Sequence, residues 1–291
     1  MNILSFEQKQ QSINEQLIKK TENMNLPEQL KSAVIYAINA GGKRLRPILM
    51  LAAYNAFSEN EERVSDVVVA LELIHTYSLI HDDLPAMDDD DFRRGQPTIH
   101  KQYDEATAIL VGDGLLTLAF QVVSSSANLE AEEKVFTIAE LSKASGLEGM
   151  IAGQYLDLKG EGEHLTVDEL SLIHRHKTGE LIRGSVKIGA YLGGATPPQI
   201  EALDEYASYL GLIFQVQDDI LDVTGNEKEI GKPVGSDVSL DKSTYPKLLG
   251  IDGAIEKRDD YMERAQKALR EARVENTQLM DIIELFGKRS Y

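Results

Sequence analysis

The chain has 291 residues, 42% hydrophobic and 27% charged, with 48 acidic against 30 basic side chains and no cysteine. This is ordinary globular composition, and the missing cysteines exclude disulfides, thiolate nucleophiles, Fe–S clusters and cysteine-ligated zinc. A formal net charge of −18 argues against a nucleic-acid partner, whose phosphates demand a basic surface.

The first ten residues lack the apolar stretch of a signal peptide, so the expected address is the cytoplasm. Val34, Ile35 and Ile38, then Leu45, Ile48, Leu49 and Leu51, recur at the three-and-four spacing of amphipathic helices. Between them Gly41-Gly42-Lys43-Arg44-Leu45-Arg46-Pro47 reads as the opening of a helix, whose N-terminal N–H groups suit an anion. Lys43 and Arg46, three apart, would share a face and hold a diphosphate; the plainer alternative is exposed cations lying over apolar surface.

The next apolar run ends in Asp82 and Asp83, breaks at Pro85, and reaches a second acidic group from Asp88 to Asp91, followed by Arg93 and Arg94. Carboxylates this close repel unless a cation sits among them, and Mg²⁺ is usually held by one or two carboxylates plus substrate phosphates. Asp82 and Asp88, six apart, share no helical face, but Pro85 unwinds the backbone and can bring them to one ion. His75, two turns before Asp82, could reach the same ligand. The bland alternative is a solvated acidic loop.

Ala106 to Val123 is the longest apolar run; since it carries Asp113, it reads as a buried core helix, not a membrane span. Breaks fall near Ser58–Arg63, Ser124–Ala131, Lys159–Leu165 and Gly193–Pro198. Thr166 to Glu169 and Thr196 to Gln199 are capping boxes, the second with Pro197 at the first helical position. Lys177-Thr178-Gly179 begins a further helical pattern and could supply a cation and a hydroxyl. Asp218, Asp219 and Asp222 end the apolar run Leu210–Val216, where the helix dipole disfavours anions, so a cation is expected there too. The stretch from Val223 to Pro246, rich in Gly, Lys, Ser and Asp, reads as a lid carrying Lys232. No segment alternates with period two. The expected fold is all-α: a single domain over residues 1–291, of about ten or more helices around a central apolar cavity.

Rival motifs fail. Gly225 to Lys232 lacks P-loop spacing, Arg93 and Ile99 stand where an EF-hand needs Gly and Glu, and no nucleophile elbow is present. Two aspartate groups with several phosphate-gripping bases imply a diphosphate held by Mg²⁺. If that diphosphate leaves carbon, the C–O bond ionises to a carbocation, which needs a dry apolar pocket.

Gly41-Gly-Lys-Arg-Leu-Arg-Pro, Asp82-Asp-Leu-Pro-Ala-Met-Asp with Arg93-Arg94, Lys177-Thr178, and Phe214-Gln-Val-Gln-Asp-Asp resemble the trans-polyprenyl synthases, above all the bacterial farnesyl diphosphate synthases, from about residue 30 to the C-terminus. The resemblance implies the isoprenoid synthase type I fold, three Mg²⁺ ions and a homodimer. It implies that Lys43, Arg46, His75 and Arg94 hold isopentenyl diphosphate. The allylic diphosphate would meet Arg93, Lys177, Thr178, Gln215 and Lys232, through Mg²⁺ on Asp82, Asp88 and Asp218. Asp83, Asp219 and Asp222 would be second ligands or orient waters. Tyr77 and Ser78, one turn before the first motif, would limit product length to fifteen carbons. A geranylgeranyl diphosphate synthase, a terpene cyclase and a helical Mg²⁺-buffering protein are the alternatives.

Overall fold

The computed structural model describes residues 3–225 and 243–289; Lys232 and most of the expected lid lie outside them. Two compact units divide the chain: one takes the residues up to Leu51 with Asn60–Ile138, the other Ala52–Glu59 with the residues from Ala139 on.

The first unit contains α1 (Ile3–Glu22), α2 (Glu28–Asn39), the start of α3 (Leu45–Asn55), α4 (Ser65–Asp82), α5 (Ile99–Gln102), α6 (Glu105–Ser124) and the first half of α7 (Ala131–Ser145). Two-residue strands β1 (Phe92–Arg93) and β2 (Gln96–Pro97) pair antiparallel around Arg94 and Gly95. Both turn residues have positive φ, 54° and 75°, as a tight two-residue hairpin requires.

α4 is mostly apolar and is buried on most sides between Val67 and Ile80, as a core helix is. It packs chiefly on α6, and Gly112 permits the approach: a Cβ there would stand 2.1 Å from His81 Nε2. By length and hydropathy both α4 and α6 could cross a membrane, but α4 is mostly buried. α6 departs from the expected core helix, since it buries one face and leaves Ile109 and Leu110 exposed. One charge pair lies inside this unit. Arg44 Nη1 meets Glu72 Oε1 at 2.5 Å, with both side chains 1% exposed. Its other nitrogens donate to Asn14 Oδ1 and Ile38 O, both at 2.7 Å.

The second unit carries α8 (Met150–Gly160), α9 (Val167–His174), α10 (Glu180–Gly193), α11 (Pro197–Thr224), α12 (Tyr245–Ala272) and α13 (Gln278–Gly287). Both capping boxes form, Thr166 with Glu169 and Thr196 with Gln199. α11 packs along α12, whose second turn is interrupted at Gly250 (φ 73°). Tyr206, fully buried on α11, donates its hydroxyl to Leu279 O at 2.9 Å. The four breaks named from the sequence all fall between helices, and among the described residues the two short strands make the whole sheet.

Candidate active site

At the end of α4 the chain turns through Pro85 and returns. Leu84 N donates to His81 O, Met87 N to Leu84 O, and Asp88 N to Asp82 O at 2.9 Å. The two aspartates that no straight helix could align are therefore neighbours through their backbone. Asp88 Oδ1 is buried and has no hydrogen-bond partner among the described residues. A desolvated carboxylate oxygen left so requires a positive partner. Asp83 turns the other way. Its carboxylate, nearly buried, receives Arg93 Nε at 2.7 and 2.9 Å. Burial pushes the Asp83 carboxyl up from its ordinary range, against the pull of Arg93. Burial would lower Arg93, but Asp83, with Asp90 and Asp82 beside it, raises it above its usual value.

The basic motif does open a helix after its two glycines, but only at Leu45. Positive φ at Gly41 (80°), Gly42 (128°) and Arg44 (51°) is incompatible with helix, and α3 starts at Leu45. Lys43 thus precedes the helix, exposed, and does not share a helical face with Arg46. Arg46 Nη1 lies 3.2 Å from His75 Nε2. Burial, then Arg46 and three further arginines, hold the His75 imidazole well below its ordinary range. A guanidinium only donates, so Nε2 accepts and the ring proton sits on Nδ1. Burial also lowers Arg46, to about 10. Arg94, at the hairpin tip, donates to Gly41 O, and a Cβ on Gly42 would collide with its guanidinium. Arg46, His75 and Arg94 thereby gather around one glycine turn.

In the second unit, Lys177 and Thr178 do not begin a helix. They lie in a π-helical turn, Arg175–Gly179, joining α9 to α10 without a break, and such turns recur at functional sites. Gly153 of α8 packs against the Lys177 backbone with no room for a Cβ. Lys177 Nζ meets Asp157 Oδ2 at 2.5 Å. Thr178 donates to Gln215 Oε1 at 3.1 Å, and Gln215 Nε2 lies 3.3 Å from His174 Nδ1. Burial pushes His174 down to about 4, against the nearby Asp157. α11 continues past Asp218 to Thr224, so only Asp222 lies in its last turn. Asp219 is buried and accepts from Tyr245 N at 2.9 Å, at the start of α12. Asp218 is 58% exposed and receives Arg289 Nη2 at 2.8 Å. That guanidinium also donates to Phe214 O and lies 3.9 Å from the centroid of the Phe214 ring. On α4, Tyr77 is buried, its ring 5.8 Å from that of His81, with its phenol pushed up to about 12 by burial; Ser78 bonds back to His75 O.

Sequence reasoning passed over Arg44, Glu72, Asp157 and Arg289. Arg44 stands among three bases of one motif, and spacing does not say which of them turns inward; Arg289 lies in a tail with no periodicity to read.

A family model described as polyprenyl synthetase matches residues 27–285, and the chain belongs to that family. Its relatives include a farnesyl diphosphate synthase of Geobacillus stearothermophilus, 49% identical over 294 residues, with 99% of each chain covered. Among solved structures, a geranylgeranyl pyrophosphate synthetase from Pyrococcus horikoshii superposes with TM-score 0.87 at 31% identity, covering 98% of both chains. A geranyltransferase from Helicobacter pylori, complexed with magnesium and isoprenyl diphosphate, gives TM-score 0.80 at 33% identity over 94% of this chain and 96% of that one. The all-α synthase fold expected from the sequence is the fold observed.

Proposed function

We propose that the chain condenses isopentenyl diphosphate with dimethylallyl or geranyl diphosphate to give (2E,6E)-farnesyl diphosphate, as one polyprenyl synthase domain over residues 1–291. It is a prenyltransferase of isoprenoid biosynthesis, as its full-length likeness to farnesyl diphosphate synthases supports. The observation that carries the metal-assisted reading is the pair Asp82 and Asp88, tied by their backbones with Asp88 Oδ1 buried and unpartnered. The donor set is all carboxylate oxygen and fits Mg²⁺. Asp82, Asp88 and Asp218 would hold Mg²⁺, three ions in this reading, and the bound metal would supply the positive charge that lets a diphosphate leave an allylic carbon.

The chain's own residues do the rest. Asp82, Asp88 and Asp218 are the metal ligands; Asp83 positions Arg93, and Asp219 and Asp222 serve as second ligands or orient waters. Arg93, Lys177, Thr178, Gln215 and Lys232 contact the allylic diphosphate. Lys43, Arg46, His75 and Arg94 hold the isopentenyl diphosphate, and His75, neutral with its proton on Nδ1, offers a donor there without adding charge. The isopentenyl double bond attacks the allylic cation, and the proton then lost passes to the released diphosphate. The Tyr77 ring, with Ser78 beside it, limits the growing tail to fifteen carbons. The exposed Ile109 (43%) and Leu110 (61%) on α6 support a homodimer closed over that face, and the working compartment is the cytoplasm.

Chromatography of products from labelled isopentenyl diphosphate with a five-carbon or a ten-carbon starter tests the reading. A fifteen-carbon main product from both is expected. Turnover of an allylic diphosphate alone would mark a cyclase and sink the condensation.

A further inference from the structure

The first unit holds a second cluster of metal-ligating groups that the proposed reaction does not use. One carboxylate oxygen each of Asp89 and Asp91 and a ring nitrogen of His100 lie within 4.8 Å of one another. The hairpin assembles them. The β1–β2 pairing brings Thr98 beside Asp91, whose carbonyl accepts Thr98 N at 3.0 Å, and α5 then presents His100 in its first turn.

The histidine is the informative member. It is 8% exposed, and its Nε2 has no hydrogen-bond partner among the described residues. Its Nδ1 lies 3.2 Å from Thr98 Oγ1, and that hydroxyl lies 2.8 Å from Asp90 O. A hydroxyl has one proton, and a carbonyl can only accept, so Thr98 donates to Asp90 O and accepts from His100 Nδ1–H. The tautomer is thereby set: Nε2 is the unprotonated nitrogen, with a lone pair in a place where water does not reach it. A metal-binding imidazole is held in this way, one nitrogen donating to a neighbour and the other left to ligate. A buried histidine with no such role would be expected to satisfy both nitrogens.

We propose that Asp89, Asp91 and His100 form a binding site for a divalent cation of the Zn²⁺ or Mn²⁺ class, separate from the carboxylates assigned to Mg²⁺. An imidazole ligand suits these borderline metals and not Mg²⁺, which takes oxygen. Lys101 Nζ already meets Asp91 Oδ1 at 2.8 Å, so the cation competes with one ammonium for that group. Once bound, it ties the acidic loop to the far side of the hairpin and so fixes the segment carrying Arg93 and Arg94.

The test is equilibrium dialysis of Zn²⁺, and separately of Mn²⁺, against the full chain at saturating Mg²⁺, comparing wild type with the double variant Asp89→Asn, Asp91→Asn. Both aspartates are exposed, so the variant keeps its fold. Wild type should retain one more ion per chain, with affinity for that ion at least tenfold above the variant's, and the His100 Nε2 resonance should shift on adding Zn²⁺ while Nδ1 keeps its proton. Equal ion counts in the two proteins overturn the site. A lost ion with an unmoved Nε2 overturns the assignment of His100 as a ligand.

Discussion

Replacing Glu72 tests how the basic motif is held. Arg44 and Glu72 are each 1% exposed and meet at 2.5 Å. Glu72→Ala leaves the Arg44 charge in the core with only the neutral acceptors Asn14 Oδ1 and Ile38 O. Breaking one side of such a pair costs about 3–5 kcal/mol, a large share of the roughly 5–15 kcal/mol that holds a domain together. At roughly 2–4 °C per kcal/mol the melting temperature should fall by about 6–20 °C. Glu72→Gln keeps an acceptor for Nη1 and should sit at the mild end of that range. Since Lys43 and Arg46 flank Arg44, the variants should also raise KM for isopentenyl diphosphate several-fold and leave the allylic KM near its starting value. Denaturant unfolding at constant slope and steady-state kinetics with each substrate varied read both effects. A stability loss below about 1 kcal/mol, or equal rises in the two KM values, would refute this account. The double replacement Arg44→Leu, Glu72→Met should recover most of the stability but not the KM.

Arg289→Ala removes the cation resting on Asp218. Because Asp218 is more than half exposed, the pair contributes only about 0.2–1 kcal/mol, so half-maximal activity should need up to about fivefold less Mg²⁺; a higher requirement in rate assays against free Mg²⁺ contradicts the placement. His174 is held neutral at a pKa of about 4, whereas the unfolded chain protonates it near 6.5. The unfolded state therefore binds more protons, and stability falls as pH drops through 6.5 and levels near 4, by about 3 kcal/mol from this group. His174→Gln should flatten that part of a melting-temperature-against-pH curve, and an unchanged slope would place the proton uptake elsewhere. Tyr77→Ala should lengthen the product beyond fifteen carbons, and an unaltered chromatogram would put the barrier on another residue.

Much of the first aspartate group could be read from spacing alone. Asp82 and Asp88 bracket a proline, and a chain that cannot stay helical there has few routes other than the observed return of Asp88 N to Asp82 O. The two capping boxes were equally legible, because side chain and backbone partner lie three residues apart. What escaped depends on long-range contacts or on backbone irregularity. Nothing local separates Arg44, turned into the core, from Lys43 and Arg46 beside it. The π turn at Arg175–Gly179 keeps α9 and α10 continuous where composition suggests a fresh start, and the close approach of Gly153 to Lys177 is made by a segment 24 residues away. Arg289 reaches Asp218 across 71 residues.

Among the described residues four non-glycine positions have positive φ: Arg44, Asp89, Arg94 and Arg273. Three of them belong to the two loops that carry the basic and acidic motifs of the first unit. Each left-handed residue raises the energy by about 1–2 kcal/mol, and that penalty is incurred once, as the chain folds. An arriving anion therefore meets side chains whose directions are already set and has little disorder to remove. The same stiffness makes these loops poor targets for stabilising redesign: glycine at Arg94 would relax the backbone while discarding the charge it aims.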